Sequence, residues 1–187
     1  MNIKGKFVTL RAIEMSDERL LRDMFNTPYI EKMVVGWAYP VSKMQQENYM
    51  NHHFNTSEGS TLRLMIEDME HKTVGAIILS DIDQKNGNAE IGIKILDAEN
   101  RSKGIGTDSI MALLRYCFDE LRLNRVFTTF LDYNKPSQAV FKKCGFQVEG
   151  CMRKHIYKNG SFHDVLFAGI LRNEYYDLIV KNHYWKN

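Results

Sequence analysis

The chain has 187 residues, 44% of them apolar, with 25 basic against 23 acidic side chains for a net charge of +2. That is enough for one sizeable core, so a single domain over residues 1–187 is expected, and disordered or disulfide-stapled classes are excluded. No Lys/Arg run makes a nucleic-acid footprint and no window approaches the roughly 20 apolar residues that span a bilayer, so neither nucleic acid nor membrane is an expected partner and the cytoplasm is the expected compartment.

Phe7 to Arg11 alternates as a strand, and Ser16 followed by Asp17 and Glu18 reads as an N-cap with acids in the first helical turn. Leu20, Leu21, Met24 and Phe25 recur at helical spacing until Pro28, and a short second segment reaches Val35. After the loop from Gly36 to Pro40, Ser42 and Gln45 form a capping-box pattern that opens a helix to about His53. Thr61 to Glu67, Thr73 to Asp81 and Asn88 to Leu96 are β-rich runs. Asn86-Gly87 between the last two is a hairpin signal, because both residues tolerate positive φ. Ile105 to Leu121 carries one broad apolar helical face, and Arg125 to Leu131 reads as the next buried strand, which makes a βαβ crossover. A shorter helix from about Pro136 to Cys144 stops at Gly145, a left-handed C-cap position, and Phe146 to His155 pairs with Phe162 to Leu171 around Asn159-Gly160. The tail, residues 173–187, reads as helical. Its Tyr175, Tyr176, Tyr184 and Trp185 either fold back on their own domain or meet a second copy in a homodimer. The fold class is α+β, a mixed and mostly antiparallel sheet flanked by helices.

Cys117, Cys144 and Cys151 show no CxxC spacing, and the six histidines show no ligand spacing with acids or cysteines, so free thiols and no metal are expected. The segment Arg101-Ser102-Lys103-Gly104-Ile105-Gly106-Thr107 sits where a strand hands over to a helix. Gly104 and Gly106 let the backbone turn tightly and present amides, the helix start adds partial positive charge, and Arg101 and Lys103 add charge on the rim. Together these make an anion cradle, or else a tight turn with solvated cations. A Walker loop would need Gly-Lys-Ser/Thr where Gly106-Thr107-Asp108 stands, and a dinucleotide fingerprint would need a third glycine at Ser109.

Arg101 to Gly106 matches the acetyl-CoA loop Arg/Gln-x-x-Gly-x-Gly/Ala of the GNAT superfamily of N-acetyltransferases, and the stretch from Asn134 to Phe146 is similar to that family's second signature. The chain therefore resembles GNAT enzymes from about Lys6 to Leu171, and Thr9-Leu10-Arg11 followed by Asp17 is similar to the branch of ribosomal-protein, polyamine and amino-sugar acetyltransferases. The resemblance implies about seven strands, of which the fourth and fifth, Asn88 to Leu96 and Arg125 to Leu131, splay apart to admit pantetheine. It implies acetyl-CoA as cosubstrate, lined by Ile91, Gly92, Ile93 and Ile95, cradled by Arg101, Ser102, Lys103, Gly104, Ile105, Gly106 and Thr107, and flanked by Asn134, Ser137, Phe141 and Lys143.

Aminolysis of a thioester needs a neutral amine, and a primary ammonium of pKa about 10.4 is neutral about once in 2,500 molecules at pH 7, a cost of about 4–5 kcal/mol. Glu90, at the start of the fourth strand, matches a glutamate that many members use as base, directly or through water; a solvent-facing carboxylate is the alternative. Glu67 and Asp81 are weaker candidates. Many members carry a tyrosine where Phe141 stands, and Phe141 cannot donate to the departing thiolate. Ser137 is the first substitute, unless it caps its helix, and Tyr133 is another. Tyr29, Trp37 and Tyr39 lie in the early helical region that walls the family's acceptor cleft, where aromatics stack on a sugar, hold an ammonium or simply join the core. Glu31 and Glu47 offer charge for a cation or are solvated surface. The expected activity is direct acetyl transfer to a primary amine of a small molecule or peptide, whether polyamine, protein N-terminus or amino sugar. The alternative, prompted by Phe141, is a non-catalytic acyl-CoA sensor.

Overall fold

The computed structural model describes residues 2–36, 39–53, 59–96 and 103–185. Among them, eight strands join in one sheet: β1 (Ile3–Lys4), β2 (Thr9–Ala12), β3 (Leu62–Glu67), β4 (Thr73–Asp83), β5 (Asn88–Ile95), β6 (Arg125–Leu131), β7 (Gln147–Lys158) and β8 (Ser161–Leu171). Their spatial order is β1-β2-β3-β4-β5-β6-β8-β7, and every neighbouring pair is antiparallel except β5 with β6. The strand beyond the expected seven is β1, whose two residues are too few to show a period.

Alternation along the strands separates two faces. Leu10, Leu64, Ile66, Ile77, Leu79 and Ile91 are buried on one face, with the apolar flank of α4 (Ile105–Asp119), where Ile110, Met111, Leu113, Leu114 and Phe118 are fully enclosed. On the other, Met65 packs with Leu21 of α1 (Glu18–Asn26) and Met50 of α3 (Lys43–His53), while α2 (Pro28–Met33) joins those two helices. The Ser42–Gln45 capping box forms: Ser42 N–H donates to Gln45 Oε1 at 2.8 Å and Gln45 N–H to Ser42 Oγ at 3.2 Å. The helix α5 (Lys135–Lys143) ends in a Schellman motif: Gly145 has φ +93, Phe146 N–H donates to Phe141 O, and Gly145 N–H to Lys142 O. Asn159 (φ 50) and Gly160 (φ 80) make the hairpin turn between β7 and β8.

Two turns differ from expectation. Ser16 caps nothing: a 3-10 turn at Met15–Asp17 precedes α1, and Asp17 accepts from Glu14 N–H at 2.8 Å and from both ends of the Arg11 fork at 2.7 and 2.8 Å. Held by this charged, two-pronged donor, Asp17 itself closes the turn by accepting the Glu14 amide, so no serine cap is used. Between β4 and β5 only Gly87 has positive φ, because the Asp83 carboxylate takes the Asn86 backbone N–H (2.9 Å) and side-chain amide (2.6 Å) and so holds a wider loop.

The tail folds back. After α6 (Arg172–Lys181), Trp185 donates to the buried Tyr175 hydroxyl at 2.8 Å, Tyr184 donates to Asp108 at 3.1 Å, and the Arg115 guanidinium lies 4.0 Å from the Trp185 ring. The tail aromatics are thus used within the chain.

Candidate active site

The parallel pairing of β5 with β6 covers only Asn88, Ala89 and Glu90 against Arg125, Val126 and Phe127. Beyond that rung, among the described strands, β5 pairs with β4 and β6 with β8. A cavity of about 780 Å³ fills the resulting opening, a size suited to a small-molecule site. Ile91, Ile93 and Thr128 line it from the α4 face and Glu90, Gly92 and Lys94 from the opposite face, so the cavity passes through the sheet.

At the α4 end, Gly104 is the N-cap with φ +86, a conformation that side chains disfavour, and the Phe7 ring lies where a Cβ would meet it at 3.1 Å. Gly106 and Thr107 on the first turn of α4 line the cavity with Gly104, while Lys103 is exposed at the rim and the Ile105 side chain turns into the core. Arg101 and Ser102 lie outside the described residues. From α5 and its cap come Asn134, Ser137, Phe141 and Lys143, all lining the cavity, and Ile95 completes the wall of β5. Amides at a glycine-opened helix start, an apolar slot and the stretch of β5 past its last rung with β6 are the donor set that CoA needs, and acetyl-CoA supplies an acetyl thioester when bound.

Glu90 stands on the last paired rung, and its Oε1 accepts a hydrogen bond from Thr129 Oγ1 at 2.8 Å. Thr129 has no motif, but alternation along β6 places it on the Glu90 face. The cap of α5 is Asn134, whose Oδ1 accepts from Ser137 N–H at 3.1 Å and whose Nδ2 donates to Met33 O at 2.8 Å. Capping therefore leaves the Ser137 hydroxyl unused, and it makes no hydrogen bond with a described residue. Tyr133 donates to Lys32 O at 2.7 Å, so its hydroxyl ties the turn before α5 to α2. Phe141 is buried between the rings of Phe130 and Phe146 at 6.1 and 4.9 Å. Burial pushes the Cys144 thiol up to about 12, which removes it as an acyl carrier. Glu67 binds Arg11 at 2.5 Å, and neither it nor Asp81 lines the cavity.

Of the aromatics expected at the acceptor, Tyr29 lines the cavity; Tyr39 is 67% exposed and does not, and Trp37 lies outside the described residues. Glu31 is held by the buried Lys158 ammonium at 2.6 Å, and Glu47 pairs with Lys43 at 3.7 Å. The sequence reading missed Gln46, Arg63 and Lys94, which line this end of the cavity, and Asp108, whose buried carboxylate accepts from the amides of Lys6, Phe7 and Val8. Counting by twos from Glu90 finds Lys94, whereas the others need the tertiary fold.

An open sheet with a cleft between two parallel strands and an anion-binding helix start beside it defines a class of acyl-CoA-binding transferases. The family model described as "Acetyltransferase (GNAT) domain" matches residues 8–147, and the chain belongs to that family. It is an N-acetyltransferase, with the GNAT fold. The N-acetyltransferase p20 of Bacillus licheniformis is 30% identical over 90% of this chain and 94% of its own length. The spermidine N(1)-acetyltransferase of Escherichia coli is 23% identical over 90% and 88%. The spermidine N-acetyltransferase of Vibrio cholerae, crystallised with CoA and spermine, superposes with a TM-score of 0.84 at 27% identity, covering 92% of this chain and 99% of that one. The sensor alternative gains no support from these enzymes. No described helix is long and apolar enough to cross a membrane.

Proposed function

We propose that the protein passes the acetyl group of acetyl-CoA directly to a primary amine of a small molecule or peptide, with Glu90 as base. The observation that carries this reading is the Glu90 carboxylate, fixed by Thr129 on the last rung before β5 and β6 part. Glu90 draws a proton from the incoming ammonium, directly or through water. Ser137 offers its hydroxyl to the departing sulfur, whose thiol pKa near 8.5 makes it a tolerable leaving group. Gly104, Gly106 and Thr107 hold the pyrophosphate with backbone amides, Arg101, Ser102 and Lys103 extend that cradle, and β5 from Ile91 to Ile95, past its last rung with β6, holds the pantetheine arm. The proposal covers one domain over residues 1–187, working in the cytoplasm, with no role for a metal. A homodimer belongs to the same proposal, and since the tail aromatics are engaged within the chain it would form on β7, one of the two edge strands of the described sheet.

The test is release of free thiol from acetyl-CoA across a panel of primary amines. Glu90→Gln should lower kcat/KM on the order of 100-fold at pH 7 while CoA affinity stays nearly constant, and the deficit should narrow as pH rises and the amine loses its proton unaided. An unchanged pH profile would reject Glu90 as base. CoA binding without turnover of any amine would return the sensor reading.

A further inference from the structure

Charge at the acceptor end of the cavity is arranged for more than an amine. Among the described residues Glu90 is the sole acid lining it, while Arg63 and Lys94 line it on the same face of the sheet. Glu90 and Lys94 flank Gly92 along β5, each roughly 7 Å away at Cα. Arg63 lies in the row of Gly92, opposite Ile78, two strands away at roughly 10 Å. A molecule of modest size can therefore reach all three.

Neither cation has a carboxylate partner among the described residues. The Arg63 guanidinium lies 5.8 Å from the Tyr49 ring and the Lys94 ammonium 4.6 Å from the Phe25 ring. Burial holds the Lys94 pKa below its ordinary value, as for an ammonium that has lost water. Gln46 is 2% exposed, lines the same end, and its side chain makes no hydrogen bond with a described residue. Two cations and an unused amide donor in one pocket carry a cost unless an anion joins them. Of the acids that would suit a polycation, Glu31 is committed to the buried Lys158, and Glu47, in an exposed pair with Lys43 at 3.7 Å, does not line the cavity.

We infer that the acceptor is a small primary amine that also bears an anionic group, a carboxylate or a phosphate, held by Arg63, Lys94 and Gln46 while its amine meets Glu90. The inference rests on the acetyl-transfer reading above and narrows its substrate.

Matched acceptors test it: an amino acid against its amide for the carboxylate, glucosamine 6-phosphate against glucosamine for the phosphate, and spermidine as the polycation. In at least one pair the anionic member should be favoured in kcat/KM by about tenfold or more over its neutral partner, and also over spermidine; the favoured pair identifies the anion. Lys94→Met and Arg63→Gln should each shrink that preference to about threefold or less, mainly through KM. CoA titration shows that each variant is folded, and either variant suffices. Neutral amines or spermidine turned over as well as the anionic members would overturn this inference and leave acetyl transfer standing. Failure to acetylate any amine, with CoA bound, would overturn both.

Discussion

Asp108 is the side chain whose loss should couple stability to cofactor binding most directly. Its Oδ1 accepts from Lys6 N–H at 2.9 Å and from the Tyr184 hydroxyl at 3.1 Å, and its Oδ2 from Phe7 N–H at 2.9 Å and Val8 N–H at 3.1 Å. Asp108→Asn keeps the volume but replaces one oxygen by a donor. Placed best, the amide oxygen serves Phe7 and Val8 without the ionic charge, a loss of about 1 kcal/mol for each bond. The amide nitrogen then faces the Lys6 N–H, and orphaning that donor costs about 1 kcal/mol more in a half-buried place. The total of about 3 kcal/mol corresponds to a fall of about 6–12 °C in melting temperature for a chain of this length. Because Phe7 sits against the left-handed Gly104 turn, CoA affinity should weaken on the order of fivefold, or about 1 kcal/mol. Thermal melts with and without CoA read both effects, and a variant melting within about 2 °C of the parent would refute the reasoning.

Ser137→Ala should cut kcat by about tenfold yet leave stability within about 0.5 kcal/mol, whereas Asn134→Ala should cost about 1 kcal/mol through the lost cap; melts and thiol release on both variants separate the two roles. Arg11→Met strands the carboxylates of Asp17 and Glu67, and should lower stability by about 3 kcal/mol in denaturant titration. Lys94 titrates below its ordinary pKa in the folded chain, so between that lowered value and 10.5 the unfolded chain holds more protons and stability rises with pH. Lys94→Met should therefore raise the melting temperature at pH 7 and flatten its rise toward pH 10, and a lower melting temperature would count against a half-buried ammonium that no described carboxylate pairs.

Legibility in the sequence followed the range over which each signal acts. The Ser42–Gln45 box, the Asn159-Gly160 turn and the Gly145 cap are decided within six residues, and all three form. Ser16 and Asn86 are equally local signals, but each is overridden by a carboxylate: Asp17 is drawn to Arg11, and Asp83 reorganises its own loop. The cleft was legible as a resemblance, since the pairing of β5 and β6 stops after Glu90, where the family pattern puts the opening. The charge of the acceptor end was not. It arises because Arg63 and Lys94 converge across two strands, and because Lys158, 127 positions from Glu31, neutralises the acid that the early helices seemed to offer. An acid on a helix attracts a cationic ligand only while no buried ammonium of the same chain reaches it first, and that competition is settled by packing. Hence the substrate is better argued from the cations in the cavity that no described carboxylate pairs than from the acids counted along the chain.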